Sequence, residues 1–288
     1  MKYPLLLSLA FACAAPLSAQ IVVSGYMANP AGTDSPYEYV QLFATQNINF
    51  ASTNYSVVWA NNGTAVANGW IAGGTVSYGF NLTSGSVTAG SVFYVGGSGE
   101  LINGSGSTDI SSATWIRTIN TGTTGGDGFG SAASGGPMGN GGTQADGIAV
   151  FSGLTTSLTS TTTPVDAVFF GSGVGTAKPA TGGYALPNND HYSSAQGTFG
   201  NGTNTFVFSD PAGSQYTSLT GTFNTQTDNW DTARTSALTT FTSATALSAL
   251  APGISLVPEP STYAGILGAL ALAGAWFRRR RTAVSRSV

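Results

Sequence analysis

Very few side chains in this chain have the chemistry that catalysis needs. His191 is the single histidine, and a serine hydrolase built on it would need a serine and a carboxylate from separate loops. Its neighbours Asp190, Ser193 and Ser194 are too close in sequence to supply that geometry, and no Gly-x-Ser-x-Gly turn is present. A zinc site would need further His or Cys ligands, which the body lacks. We therefore expect His191 to be a surface turn residue.

The carboxylates suggest binding more than catalysis. Glycoside hydrolysis needs two facing carboxylates, and the acids here are spread through the loops, apart from Asp228 with Asp231, a spacing typical of a cap. Oxygen ligands on loops suit calcium, and the candidate ligands are Asp34, Asp127, Asp146 and Asp190. The alternative for all four is turn chemistry, because no Asp-x-Asp-x-Asp-Gly loop is present. We predict no catalytic residue and no cofactor.

Two further features have a structural and a functional interpretation. The glycine-rich stretch 125–142 has no Gly-Lys-Ser/Thr, so it is not a phosphate loop. Exposed tryptophans would stack on sugars, but tryptophans within alternating strands are expected in the core. We therefore expect Trp59, Trp70, Trp115 and Trp230 to be core residues.

The composition restricts the function classes. Only 7% of the residues are charged, 40 are glycine, and 41% are hydrophobic, which indicates a folded protein whose surface is polar through hydroxyls and amides. From Gln20 to Val257 there are three basic and eleven acidic residues, a net charge of −8. Such a body does not bind nucleic-acid phosphates.

The first 19 residues have the organisation of a secretory signal peptide. Lys2 precedes an apolar run from Leu5 to Ala15, and small residues follow it. We predict export through the translocon, with cleavage between Ala19 and Gln20. The only cysteine, Cys13, would leave with this leader, so the body would contain no disulfide.

The body, residues 20–234, alternates apolar and polar residues over short runs that are separated by turn residues. Asn61-Asn62-Gly63-Thr64 predicts a hairpin that joins two of these runs, 55–59 and 66–71. The pattern predicts an all-β sandwich or barrel. The predicted strands are 21–27, 37–43, 55–59, 66–71, 75–82, 87–95, 113–119, 147–151, 165–170 and 205–208.

The remaining segments of the body show no strand pattern. Residues 121–147 and 171–202 are predicted to be long loops, the first of them rich in glycine. Residues 229–234 are predicted to form a short helix or turn. Residues 235–257, rich in Ala, Ser and Thr, are predicted to be a tether.

The body resembles the lamin-tail-type domains of bacterial surface proteins. The residues that carry the resemblance are the run 21–30, Gly32, Asp34 and the run 37–42, with 165–169 similar to the closing strand. Gly25 and Gln41 stand where that family has glutamate. The resemblance implies an immunoglobulin-like β-sandwich.

The last 31 residues combine three elements in a specific order. Pro258-Glu259-Pro260-Ser261-Thr262 comes first, and the prolines favour an extended backbone. Residues 263–277 are apolar and predict a transmembrane helix of roughly 22 Å, short of the roughly 30 Å bilayer core. Arg278, Arg279, Arg280 and Arg281 follow, and positive charge stays on the cytoplasmic side, where 282–288 would form a tail.

This order resembles the PEP-CTERM sorting signal, over residues 258–281. The resemblance implies that an exosortase recognises Pro258-Glu259-Pro260 at the inner membrane and removes the helix. It also implies that the body passes to the cell surface or extracellular matrix, often with attached glycans and among exopolysaccharide. A permanent anchor is the alternative for the tail.

These observations lead to three hypotheses of function. The first is a non-enzymatic surface or matrix protein. The second is a carbohydrate-binding or adhesion module that uses loops 121–147 and 171–202. The third, a hydrolase, is disfavoured by the single histidine and the scattered carboxylates.

Overall fold

The computed structural model describes most of the body and part of the C-terminal segment. The described residues are 21–61, 68–74, 76–119, 126–130, 136–139, 145–171, 184–187, 208–257, 265 and 267–276. They contain three short 3₁₀ turns, at Gly69–Ile71, Thr155–Ser157 and Leu247–Leu250.

The other regular elements of the described body are β-strands, as the alternation predicts. The strands are β1 Ile21–Met27, β2 Tyr39–Ala44, β3 Ile48–Asn49, β4 Tyr55–Ala60, β5 Ser77–Leu82, β6 Ser86–Val87, β7 Val92–Gly97, β8 Trp115–Ile119, β9 Asp146–Ser152, β10 Asp166–Gly171, β11 Phe208–Ser209, β12 Gln215–Asn224, β13 Asn229–Trp230, β14 Thr235–Thr240 and β15 Gly253–Val257.

Two large sheets enclose the main core. One has the order β13-β12-β1-β2-β7-β8, with β14 and β15 also paired to β12, and the other has the order β11-β10-β9-β4-β5. Because side chains alternate across a strand, alternate residues of β2, β4 and β9 point into this core, and β1 contributes Ile21, Val23 and, after a register shift, Tyr26. Its members include Val23, Leu42, Val57, Trp59 and Val150. The all-β prediction is confirmed, and the arrangement of the sheets is sandwich-like.

The outer faces of both sheets are also covered. Val58, Phe151 and Phe169 on the five-stranded sheet pack with Trp70 and Tyr184. On the larger sheet, one cluster is built around Tyr39, Tyr94, Tyr216, Phe241 and Leu250. A second cluster there joins Val22 and Phe43 to Phe223, Trp230 and Ile254. Aromatic side chains therefore pack in three places: between the two sheets and on the outer face of each sheet.

The predicted hairpin partner of β4 is wrong. Residues 66–71 were expected to pair with β4, but Gly69–Ile71 is a 3₁₀ turn, and β4 pairs with β5 and β9. The indole N–H of Trp70 donates to the Ala185 carbonyl at 2.9 Å, and its ring packs on Phe169. The buried position of the Trp70 side chain therefore fits a 3₁₀ turn, whereas the alternation of the neighbouring residues had predicted a strand.

The predicted tether, 235–257, is also wrong, because this segment is part of the sheet. β14 pairs antiparallel with β12 from Thr235 to Thr240, and β15 pairs parallel with β12 from Gly253 to Val257. β14 has mostly exposed side chains, so no apolar alternation marks it in the sequence. The domain boundary placed at residue 234 therefore moves to 257. The expected helix or turn at 229–234 is likewise corrected, because residues 229–230 form β13.

A buried ion pair connects the two sheets. Arg234 donates from Nη1 to Asp166 Oδ2 and from Nη2 to Asp166 Oδ1, both at 2.8 Å, and neither side chain is exposed. Asp166 belongs to β10. Its Oδ2 also accepts the Val23 N–H at 2.7 Å, while Arg234 donates to the Val23 carbonyl at 3.1 Å. The guanidinium lies 4.5 Å from the ring centre of Trp230.

This pair replaces backbone partners at the point where two strands separate. β1 pairs with β12 only at Gly25 and Tyr26, and its ladder with β2 shifts register between Val23 and Gly25. Val23 therefore has no partner in β12, and the ion pair satisfies both its N–H and its carbonyl. An unpaired buried peptide group would cost about 1–3 kcal/mol.

We predict that Arg234→Ala destabilises the protein by about 3–5 kcal/mol, because it leaves the Asp166 carboxylate buried without its counter-charge. Urea unfolding followed by tryptophan fluorescence would measure this. The matched control is Arg117→Ala, which removes a partly exposed pair with Asp127 and should cost about 0–1 kcal/mol. Equal losses in the two variants would contradict the assigned role of Arg234.

Candidate functional site

The C-terminal segment leaves the body directly from a strand. Val257 is the last residue of β15, and its carbonyl accepts the Thr225 hydroxyl at 3.1 Å. Ile254 of the same strand is only 8% exposed. The predicted sorting residues Pro258 to Thr262, and the block Arg278 to Arg281, lie outside the described residues, as do Ala19 and Gln20 at the predicted signal cleavage site.

Beyond the body, the apolar segment is helical where it is described. Residues 267–276 form this helix, and its large apolar side chains face solvent, with Leu272 75% and Trp276 50% exposed. None of the helices in the described part of the chain combines the length and the apolar character needed to cross a membrane. The transmembrane helix predicted at 263–277 is thus not confirmed.

Comparison with known families identifies this same segment. The family model for the PEP-CTERM protein-sorting motif matches residues 256–281. The chain carries a PEP-CTERM sorting motif. The motif implies export and processing by an exosortase, a membrane enzyme. No curated protein and no solved structure matches the chain, so the lamin-tail resemblance of the body stays a prediction.

Asp34, Asp127 and Asp146, the three calcium candidates that the structure describes, do not form one metal site. Asp127 has a structural role: it accepts from Arg117 Nη2 at 2.9 Å and from the Asn81 N–H at 2.8 Å. Asp190 lies outside the described residues, as does His191. The charges of Asp34 and Asp146 both act on Glu38, where they raise its pKa. Within the described residues, no group of three or more His, Cys, Asp or Glu side chains is arranged to hold a metal ion.

Glu38 is a buried carboxyl group that the sequence did not single out as a site. Its Oε2 accepts the Met138 N–H at 3.1 Å, whereas Oε1 is buried and has no hydrogen-bond partner among the described residues. Gly136, with φ of +100°, lies so close that a Cβ there would overlap Oε2. The glycine-rich segment around 136–139 therefore closes directly over this carboxyl group, which explains in part why it is glycine-rich.

The electrostatics of this region favour the protonated form of Glu38. Burial is the main cause that raises its pKa well above the usual range. The Met138 hydrogen bond opposes this effect, while the nearby charges of Asp34 and Asp146 add to it. Asp146 is also buried, and Gly139 lies against its carboxylate.

The described carboxylates do not have the arrangement of the catalytic pair of a glycoside hydrolase. Glu38 and Asp146 are each 1% exposed, so a polysaccharide has no access to them. The other pair, Asp228 and Asp231, lies at the β12–β13 turn, where Asp231 Oδ1 accepts from Asn224 Nδ2 at 3.3 Å. Asp228 has a positive φ of 51° there, so the pair belongs to a turn between two strands and not to the helix cap that its spacing predicts.

We predict that Glu38→Gln makes the protein more stable at neutral and alkaline pH. Because the folded-state pKa is raised, the folded state binds this proton more tightly than the unfolded state. The stabilisation is therefore complete below the unfolded pKa and is lost as pH rises through the folded pKa. Gln stays neutral and can still accept the Met138 N–H. Thermal unfolding from pH 4 to pH 9 should show that the stability of the variant declines less with rising pH than that of the wild type, with the variant the more stable of the two at pH 8.

The control for this experiment is Asp109→Asn. Asp109 is fully exposed, and hydrogen bonds from Ser111 lower its pKa, so loss of its charge should give no gain at high pH. If Glu38→Gln lowers stability at pH 8 instead, Glu38 is held there as a carboxylate by a counter-charge.

Proposed function

We propose that this chain is an exported, non-enzymatic protein of the cell surface or extracellular matrix, which an exosortase processes at its C-terminal sorting motif. The observation that carries the proposal is the match of residues 256–281 to the PEP-CTERM protein-sorting motif. In this proposal the protein is the substrate of the sorting reaction, and its body is what the cell delivers.

The order of the C-terminal elements gives a physical basis for the proposal. The two prolines around Glu259 favour an extended backbone outside the bilayer. The apolar segment at 263–277 then enters the membrane, as a transient anchor. The arginines at 278–281 stay on the cytoplasmic side. The body, which precedes the motif, is thereby placed on the opposite side.

The start of the body supports export as well. β1 begins at Ile21, which is buried, directly after the predicted signal cleavage site between Ala19 and Gln20. The leader would direct the chain to the translocon, and its removal would leave the body without any cysteine. A fold that needs no disulfide is independent of the redox state of its compartment.

The absence of an enzymatic role is part of the proposal. A groove of about 400 Å³ lies between β7 and the 3₁₀ turn Leu247–Leu250. The described residues that line it carry apolar, hydroxyl and phenol groups, among them Tyr94 and Ser112, and include no carboxylate or histidine. Such a lining offers no acid–base pair.

The carbohydrate-binding alternative stays a prediction. Trp59, Trp70 and Trp230 are buried, and Trp115 packs against Tyr39 and Tyr94, so these four rings are engaged in packing. The loops proposed as its binding surface lie largely outside the described residues. No described contact favours this function over the first.

We predict that Glu259→Ala abolishes processing, so that the C-terminal arginines remain on the protein recovered from cells. Intact-mass spectrometry of the wild-type surface form should show a chain that ends near residue 259 and lacks the arginine block. The variant should keep the full C-terminus and stay with the membrane fraction.

Glu100→Ala is the matched control, since it removes the same side chain from a turn of the body. It should be processed as the wild type is. A mature wild-type surface form that retains Pro258-Glu259-Pro260 and the arginine block would show that the sorting proposal is wrong.

A further inference from the structure

The residues just before the sorting motif are fixed to the body. β15 pairs with β12 in five consecutive registered positions, from Thr220 with Gly253 to Asn224 with Val257. Ile254 packs with Phe223 and Trp230 on the outer face of the larger sheet. On the solvent side, the Thr222 and Ser255 hydroxyls lie 3.0 Å apart.

The matched motif and the sheet share residues. The match begins at residue 256, whereas β15 ends at Val257, so Leu256 and Val257 belong to both. From Val257 to the helical Gly265 there are eight residues, which span at most roughly 28 Å when fully extended. The motif therefore begins within β15 and is joined to the apolar helix by a short stretch of chain.

This overlap creates a conflict for any enzyme that cuts at the motif. An extended substrate bound in a cleft makes main-chain hydrogen bonds through the residues that precede the cut. In β15 those backbone groups already bind β12. Cleavage of a folded chain proceeds from a locally opened state, so its rate follows the population of that state.

β15 has the properties of a strand that can open by itself. It makes a parallel pair, which is slightly weaker per residue than an antiparallel one, and Ile254 is its single well-buried side chain. The preceding turn is held more firmly, because Leu250 is buried and its carbonyl accepts from Gln41 Nε2. Release would therefore extend back to about Ala251 and leave the rest of the body intact.

We propose that β15 shields the sorting motif, and that release of β15 from β12 must precede cleavage by the sorting enzyme. This inference rests on the proposed function and adds a regulatory step to it. Pairing of β15 makes the folded body a slow substrate, and the enzyme acts on the opened chain. In the hydrolytic cut, the hydroxyl of water bonds to the motif's carbonyl carbon and the departing nitrogen takes the proton, so β15 contributes no atom to the reaction.

A disulfide between β12 and β15 tests the proposal directly. Thr222 and Ser255 are directly registered, and neighbouring strands lie about 4.8 Å apart, within the separation that a disulfide spans. The full-length double variant Thr222→Cys with Ser255→Cys, produced in its own cells, would be followed by pulse-chase labelling and mass spectrometry of the C-terminus. We expect the oxidised form to be processed at least tenfold more slowly, and dithiothreitol to restore the wild-type rate.

The chain offers a closely matched control on the other side of β12. Thr220 and Thr235 are also registered, with their hydroxyls 2.6 Å apart. A disulfide in Thr220→Cys with Thr235→Cys fixes β14 to β12 and leaves β15 able to open. This variant should be processed at the wild-type rate in both redox states.

A variant that loosens β15 should have the opposite effect. A Cβ at Gly253 would overlap Thr220 Cγ2, so Gly253→Ala should weaken the pairing and speed up processing several-fold. Equal rates for the oxidised 222–255 and 220–235 variants, or no acceleration in Gly253→Ala, would overturn the proposal. Glu259→Ala distinguishes failure of the sorting proposal from failure of the shielding proposal. If this variant is still processed, the proposed function is wrong, whatever the result for the disulfide variants.

Discussion

The guanidinium of Arg234 lies between the two sheets, where it binds groups from both of them. It binds both oxygens of Asp166 on β10 and the carbonyl of Val23 on β1, and it covers the ring of Trp230. β1 needs this contact because the residues that precede Gly25 are not paired with β12. That separation allows the end of β12, with β13 and β15, to cover Val22 and Phe43 on the outer face of the sheet. The layered packing therefore depends on one buried ion pair.

The scarcity of charge explains why single ionic groups have such definite roles. The body has three basic residues, and two of them are structural: Arg234 joins the sheets, and Arg117 with Asp127 fixes the segment at 126–130 to β5 and β8. Hydroxyls supply the polar surface instead, as in the contact of Thr220 with Thr235. Glu38 has no such cation in the described structure, and its neutral form suits the space that Gly136 leaves for it.

Sequence patterns predicted those elements whose signal is local. β1, β4 and β10 follow from alternating or continuous apolar residues, and the sorting motif follows from three elements in a fixed order. The sequence did not predict β12, β14 and β15. The side chains of β14 are mostly exposed, and the buried residues of β12, Tyr216, Thr217, Leu219 and Phe223, do not follow a strict alternation. The partner of Asp166 is 68 residues away. A charge within the apolar run 165–170 signals that a partner exists, but only the fold identifies it.

The pairing of β1 with β12 also sets the order in which the molecule can be completed. β1 is the first strand to be made, yet its partner at Ser218 follows almost two hundred residues later, and Arg234 is 211 residues from Val23. Contacts of such long sequence separation form slowly. The larger sheet therefore cannot close until β12, near the end of the body, has been made. A chain that leaves the ribosome from its N-terminus holds β1 without its β12 partner for most of its synthesis.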